Sequence, residues 1–433
     1  MFLTLGFSSL LLSISFGLTA SLQYIFPHFA SEQFSFQKTR PLHVFLAVSW
    51  IFSSVTGIIY KHITVYAGRP LYSVPMAAVH FVLQLMAILI AVTGFFTGHF
   101  SGREYLEFPP WVTIIIIAYW LLFAVNFFAT AGRKLADAPV YYWMWCTGVV
   151  FFLITILEAQ LWQLPFFGGN VVRDITVQWK ANGSMVGAWN MLIYGSAMYA
   201  MEQITGDKNT GLQRKSFAFY FLGLTNLMFN WGHHTYVVPA HPVVRQVSYI
   251  ISMTELVLLA NIILSWSAGY KKAPVAHYQL AYRFFRIADV WVLLNLVLAI
   301  AISVPYINQY THGTQITVAH AMGATIGINT LLLMGCAAFL FEWKLQAGAK
   351  KTIRAGLMCI HISLFFLWIS LIGAGIARSA AQQRHDYFAL LSEKVLPYLK
   401  SFSASGLVLT IGICMVAIPF VALFVRRRGN MPR

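Results

Sequence analysis

Three places in this chain set metal-binding side chains at spacings that chemistry can use. The first is Asn230-Trp231-Gly232-His233-His234-Thr235-Tyr236. Adjacent helical residues point about 100° apart, so two neighbouring imidazoles can reach one ion lying between their directions. The pair reads equally as metal ligands or as a hydrogen-bonded structural pair. The second is Thr317-Val318-Ala319-His320-Ala321-Met322-Gly323. His320 and Met322 point about 200° apart, to opposite sides of one helix. A helix set between two haems would present one ligand to each; a buried histidine beside a packing methionine satisfies the same spacing. The third, Arg40-Pro41-Leu42-His43, puts a histidine at the head of an apolar run. Arg40 is placed to pair with a haem propionate at a membrane face, though an arginine and a histidine are also ordinary residues at such an interface.

The elements that carry these residues are membrane spans. Of the 433 residues, 59% are apolar and 10% charged, whereas an average soluble domain has roughly 25% charged residues. The mean hydropathy is +0.69. So few charges cannot cover a water-soluble globule, and so much apolar surface excludes disorder. The aromatic share of 16% suits a chain that meets lipid and its interfaces. Twelve segments have the roughly 20 apolar residues that a crossing needs: 4–26, 42–60, 75–98, 110–131, 140–163, 181–203, 216–238, 246–268, 287–306, 314–341, 355–377 and 403–425. The expectation is an all-α, polytopic membrane protein with a single transmembrane domain over 1–433. The first segment has no basic leader region and no small-residue cleavage site, so it reads as a retained span. With the N-terminus inside, 19 of the 29 Lys and Arg residues fall on the cytoplasmic side, as the positive-inside rule requires. The net charge of +16 therefore speaks for lipid and topology, not for nucleic acid. Cys146, Cys336, Cys359 and Cys414 all lie in apolar runs without CxxC or CxxCH spacing. They read as packing residues, with no disulfide and no covalent haem attachment.

The order and span placement of these motifs resembles the haem–copper oxidase superfamily, and within it the catalytic large subunit of bacterial nitric oxide reductases. The resemblance covers nearly the whole chain. It is carried by Arg40-Pro41-Leu42-His43, by Gly102-Arg103-Glu104-Tyr105-Leu106-Glu107, by Gly232-His233-His234, by Glu255, and by His312-Gly313-Thr314 leading to Ala319-His320. It implies that His43 is an axial ligand of a low-spin haem b and His320 the proximal ligand of a high-spin haem b. It implies that His233 and His234 hold a non-haem metal, iron or copper, and that Arg40 and His312 lie at the haem sites. Glu255 would sit near the metal or on a proton path, and Glu104 in an outer loop that binds calcium. The chemistry implied is reduction of two NO to nitrous oxide in a bacterial inner membrane, with electrons from a c-type cytochrome. Two metal centres held close together would bring the two nitrogens together.

Two departures from that family pattern matter. The second histidine of the family's His-x-His is Met322 here. A thioether is a competent haem ligand, and His/Met ligation raises the haem potential relative to His/His. The sixth span carries no histidine; the family's third metal ligand falls on Asn182 or Gly183, and the accompanying glutamates are absent, with Asn190 near one of them. A two-histidine site binds metal less tightly, so Asn182, water or Glu255 would have to complete it. The acids read inside spans are Glu158 and Glu255, and Glu158 has the look of a residue paired within the bundle. Besides NO reduction, the sequence leaves open an NO dismutase-like or oxygen-reducing reaction at the same site. It also leaves open a non-catalytic haem electron-transfer or sensing subunit, and an unrelated transporter, although no internal repeat supports the last.

Overall fold

The structure, a computed structural model, describes residues 1–132, 135–207, 210–254 and 278–429. Every described element is helical, as lipid demands: a helix satisfies its backbone polar groups internally. In chain order the principal helices are α1 Phe2–Gln23, α2 Phe36–Ala67, α3 Val74–Phe96, α4 Val112–Ala131, α5 Val140–Glu158, α6 Val171–Thr205 and α7 Arg214–Phe229. Then come α8 at 242–254, α9 Gln279–Ser303, α10 beginning at Gln315–Met322, α11 Ala347–Gln383 and α12 Phe388–Gly429. Each of the twelve expected spans has described residues on one of these helices. Among the described residues, nine helices are long and apolar enough to cross a membrane by length and composition. Helix α6 is long but of mixed polarity, α7 is only 16 residues, and the expected span at 246–268 lies partly outside the described residues.

Helix α3 shows the membrane pattern in one element. Its inward face holds His80, Gln84, Ala87, Ala91 and Gly94, while Val79, Val82, Met86 and Leu89 are about half exposed. Polar groups turn inward and aliphatic ones outward, the reverse of a soluble helix.

Helix packing groups the chain into two units, one of Met1–Gly6 with Ile51–Gln279, the other of Phe7–Trp50 with Leu280–Arg433. In the first, Trp120 Nε1 donates to the Val149 carbonyl at 2.8 Å, tying α4 to α5, and Trp145 Nε1 donates to Ser196 Oγ at 3.2 Å, tying α5 to α6. Ser184 Oγ donates to the Leu227 carbonyl at 2.8 Å, tying α6 to α7.

In the second unit, contacts fix the direction of each helix. Phe7 lies 4.7 Å from Trp50 and Ser13 bonds His43, so α1 and α2 are antiparallel. Phe7 stacks on Phe420 and Ser403 Oγ donates to the Ser21 carbonyl, so α1 and α12 are antiparallel too. Ser370 bonds Ser401 near the start of α12, and Phe341 meets Phe424 near its end. Gly375 lies against Ile316, which brings the start of α10 to that same starting end. Helices α2, α10 and α12 therefore run the same way. Helix α10 passes through a π stretch, Gly323–Thr330, into Leu331–Phe341. Helix α9 runs antiparallel to it, with Phe285 against Gly335, Trp291 against Gly327 and Asn295 against Gly323.

The buried carboxylate of Glu342 caps α9. It accepts from Leu280 N at 3.0 and 3.1 Å and from Ala281 N at 3.3 Å. These are charge-assisted bonds to helix-terminal donors that have no other partner in the helix. Glu342→Ala should lower stability by about 2–3 kcal/mol, read as a reduced thermal unfolding midpoint in detergent, with Glu342→Gln intermediate.

Candidate functional site

His43 enters from the first turns of α2 and is fixed by α1. Its Nδ1 lies 2.8 Å from the Ser13 carbonyl and 3.1 Å from Ser13 Oγ, which itself donates to the His43 carbonyl at 2.8 Å. A carbonyl only accepts, so Nδ1 carries the proton and Nε2 keeps its lone pair. That is the tautomer a metal ligand needs, with the outer partner that orients ligating histidines. Gly17 makes the approach feasible: a Cβ there would come within 2.6 Å of His43 Nδ1.

Met322 stands on α10 at a matching depth. Trp50 Nε1 donates to Thr330 Oγ1 at 3.1 Å, locking α2 to α10. His43 precedes Trp50 by seven residues and Met322 precedes Thr330 by eight. At about 1.5 Å per residue, His43 lies about 10 Å and Met322 about 12 Å from that bond, and the two helices run the same way. The π turns rise less per residue, which narrows the difference.

His320, one half-turn before Met322, has a buried Nδ1 that meets no hydrogen-bond partner of ordinary geometry, with the backbone of Asn295 beside the ring. Asn295 Oδ1 is buried and unpartnered as well. It sits so close to α10 that a Cβ on Gly323 would come within 2.4 Å of it. His312 ends the short helix Pro305–Thr311, its N–H donating to the Asn308 carbonyl at 2.8 Å. Gly313 follows with φ +72°, a left-handed turn that favours glycine. Thr314 then caps α10, accepting from Ile316 N. Arg40 lies with Arg378 of α11 where the charge of both bears on the Tyr24 hydroxyl, so two guanidinium groups gather at that end of the unit.

The histidine pair lies just beyond α7, on the 3-10 turn Asn230–Thr235, and not on a regular helical span end. The rings of His233 and His234 are 4.2 Å apart at 45°. His233 Nδ1 is 3.0 Å from Asn230 Oδ1. His234 stacks on Trp179 of α6 at 4.6 Å and 11°. Asn182 is buried; its Nδ2 donates to the Glu104 carbonyl at 3.2 Å, so its amide nitrogen is committed to the loop. Gly183 packs directly on the turn, where a Cβ would fall 2.7 Å from Trp231 Cβ. That contact leaves no room for a side chain at 183. Among the described residues, no three His, Cys, Asp or Glu side chains converge as a metal site. Glu255 lies outside the described residues.

The Gly102–Glu107 loop is held against α6. Arg103 Nη1 donates to both Asp174 oxygens, at 2.8 and 2.9 Å. Asp174 lies in the first turn of α6, where a carboxylate complements the helix dipole. Tyr105, at φ +67°, approaches Trp179 edge-on at 6.3 Å. Glu158 pairs with Lys180, as its position in a span suggests. Tyr220 is hydrogen-bonded to Thr147 at 2.8 Å, well away from the histidine turn in sequence.

Several partners here are not visible as such in the sequence reading: Ser13, Trp179, Asn295 and Arg378 lie far along the chain from the residues they serve. Asp289, inside α9, is a further intramembrane acid beyond Glu158 and Glu255. Its Oδ2 is buried without a hydrogen-bond partner, and a count of acids within the span 287–306 would have found it.

Gly17→Ala tests the His43 arrangement. It should displace His43 from Ser13 and cost about 1–3 kcal/mol of stability. Any haem held by His43 should show a shifted or lost low-spin band in the reduced-minus-oxidised spectrum.

The family model described as cytochrome c and quinol oxidase polypeptide I matches residues 1–423. A nitric oxide reductase subunit from Stutzerimonas stutzeri is 21% identical over 397 residues, covering 84% of this chain and 80% of that protein. The cbb3-type cytochrome c oxidase subunit CcoN1 of the same organism is 21% identical over 374 residues, covering 82% and 75%. A haem–copper terminal oxidase dimer solved by cryo-EM aligns with a TM-score of 0.73 at 11% identity, covering 100% of this chain and 84% of that one; this likeness speaks for the fold. With a match that spans all but the last few residues, this multi-pass, all-helical chain belongs to the cytochrome c and quinol oxidase polypeptide I family.

Proposed function

We propose that the chain is the haem-bearing subunit of a nitric oxide reductase-like oxidoreductase of a bacterial inner membrane. On this reading it takes electrons from a c-type cytochrome and converts NO to nitrous oxide. The observation that carries the proposal is the state of His43. Its Nδ1 is committed to the Ser13 carbonyl, so Nε2 is the available ligand atom, at the depth of Met322. Part-buried at the head of a span, this histidine has the partner of a haem ligand built in.

The residues fit the groups to different degrees. His43 and Met322 suit a low-spin haem b. His320 suits a high-spin haem b: it would hold the haem through Nε2, with the buried Nδ1 turned to the Asn295 backbone. Arg40 and His312 would hold the haem edges at the outer face. His233 and His234 suit a non-haem iron or copper, with Asn182 limited to its Oδ1 as a third donor. Glu255 is assigned to proton supply and Glu104 to a calcium in its loop. When bound, the haems and the metal supply electrons and coordination positions for NO. The chain's own part is to hold the ligand atoms ready and to exclude water with apolar walls. With Met322 in place of histidine, the low-spin haem would rest at a higher potential.

A second reading rests on one observation. The packing of Gly183 on Trp231 closes one of the two positions where the family's third histidine falls, as a haem subunit that passes electrons without turnover would allow. Purified protein given reductant and isotopically labelled NO without oxygen decides between them. The first reading expects two b haems and one non-haem metal per chain, with labelled nitrous oxide as product. Intact haems without NO consumption support the second, and dinitrogen with oxygen would mean a dismutase-like reaction. Met322→His should retain both haems and lower the low-spin midpoint in a redox titration; an unchanged midpoint excludes Met322 as a ligand.

A further inference from the structure

Asn230 opens the turn that carries the histidine pair, and it is more tightly held than a turn residue needs to be. Its Oδ1 lies 3.0 Å from His233 Nδ1 and 2.5 Å from Ser252 Oγ. Its backbone carbonyl accepts from Ser248 Oγ at 2.8 Å. Ser248 and Ser252 are 0% and 2% exposed, and both hydroxyls donate to this one residue. They stand four residues apart on α8, one above the other on a single face. Gly232 lets the turn lie flat on that face, since a Cβ there would come within 2.9 Å of Ser248 Cβ and 3.0 Å of the Val244 carbonyl.

We infer that Asn230 is a positioning residue that selects the ring nitrogen His233 presents to a metal. Two donors converge on its carboxamide oxygen: the Ser252 hydroxyl and the His233 Nδ1–H. With the proton drawn to Nδ1, Nε2 is left as the donor atom. A carboxamide turned the other way would offer N–H to Nδ1, move the proton to Nε2 and switch off that ligand. His234 is held differently. Stacking on Trp179 fixes its plane. This inference rests on the reading that the pair holds a metal.

The test uses the full chain in nanodiscs, stripped of non-haem metal and titrated with cobalt(II), whose ligand-field absorption reports its ligands. Asn230→Leu should weaken cobalt binding about 10–100-fold, with haem spectra unchanged. Asn230→Asp, which can only accept, should restore binding to within a few-fold and shift the ligand-field bands. If Asn230→Leu proves too unstable to purify, Ser252→Ala substitutes for it and should weaken binding several-fold. Cobalt binding and spectrum unchanged in Asn230→Leu, or in Ser252→Ala where that variant stands in, overturn the inference alone. So does an Asn230→Asp variant that binds no better than Asn230→Leu. Wild-type protein that takes up no cobalt overturns the metal reading of the pair, and the inference falls with it.

Discussion

An imidazole carries two ring nitrogens, and in the hydrocarbon region of a membrane neither can turn to water. Leaving one without a partner costs on the order of a few kcal/mol. A histidine that is to offer Nε2 to a metal must therefore give Nδ1–H to an acceptor already in place. This requirement organises much of what surrounds the candidate ligands. For His43 the acceptor is a helix carbonyl, reached only because Gly17 lets α1 and α2 close to contact. For His233 it is a side-chain carboxamide, itself clamped by two serines.

Helix packing then sets where those nitrogens sit. The Trp50–Thr330 hydrogen bond ties two helices that run in the same direction. That bond brings His43 and Met322 to one level. The start of α10 is equally determined, by the left-handed Gly313 turn and the Thr314 cap. After Met322 the helix widens into eight residues of π geometry. Such stretches are rare and concentrate at functional positions. Here the π stretch is wedged by Asn295 and Trp291 of α9 against glycines that leave no other space.

The sequence made the spans legible because length and apolarity decide them almost alone. It also made the ligand candidates legible, because ionisable groups in apolar runs are few. Helix ends were less so. The His233–His234 turn left the helix earlier than the apolar run suggested, where Gly232 lets it bend against α8. The partners were least legible. Ser13 and His43 are 30 residues apart, Trp50 and Thr330 are 280 apart, and nothing in local periodicity links them. The missing span-six histidine reads in the sequence as a lost ligand at Asn182 or Gly183; that Gly183 packs directly on Trp231 is visible only in three dimensions. Asn230 opens the histidine motif in plain view, yet its hydroxyl partners come from the next helix.

The central claim is that His43 and Met322 grip one haem between α2 and α10. Near-infrared magnetic circular dichroism of the oxidised protein tests it most directly, because the low-spin charge-transfer band differs between His/Met and His/His ligation. The account predicts a single low-spin haem with a His/Met band. A His/His band, or no low-spin haem at all in protein that retains the high-spin one, would contradict it.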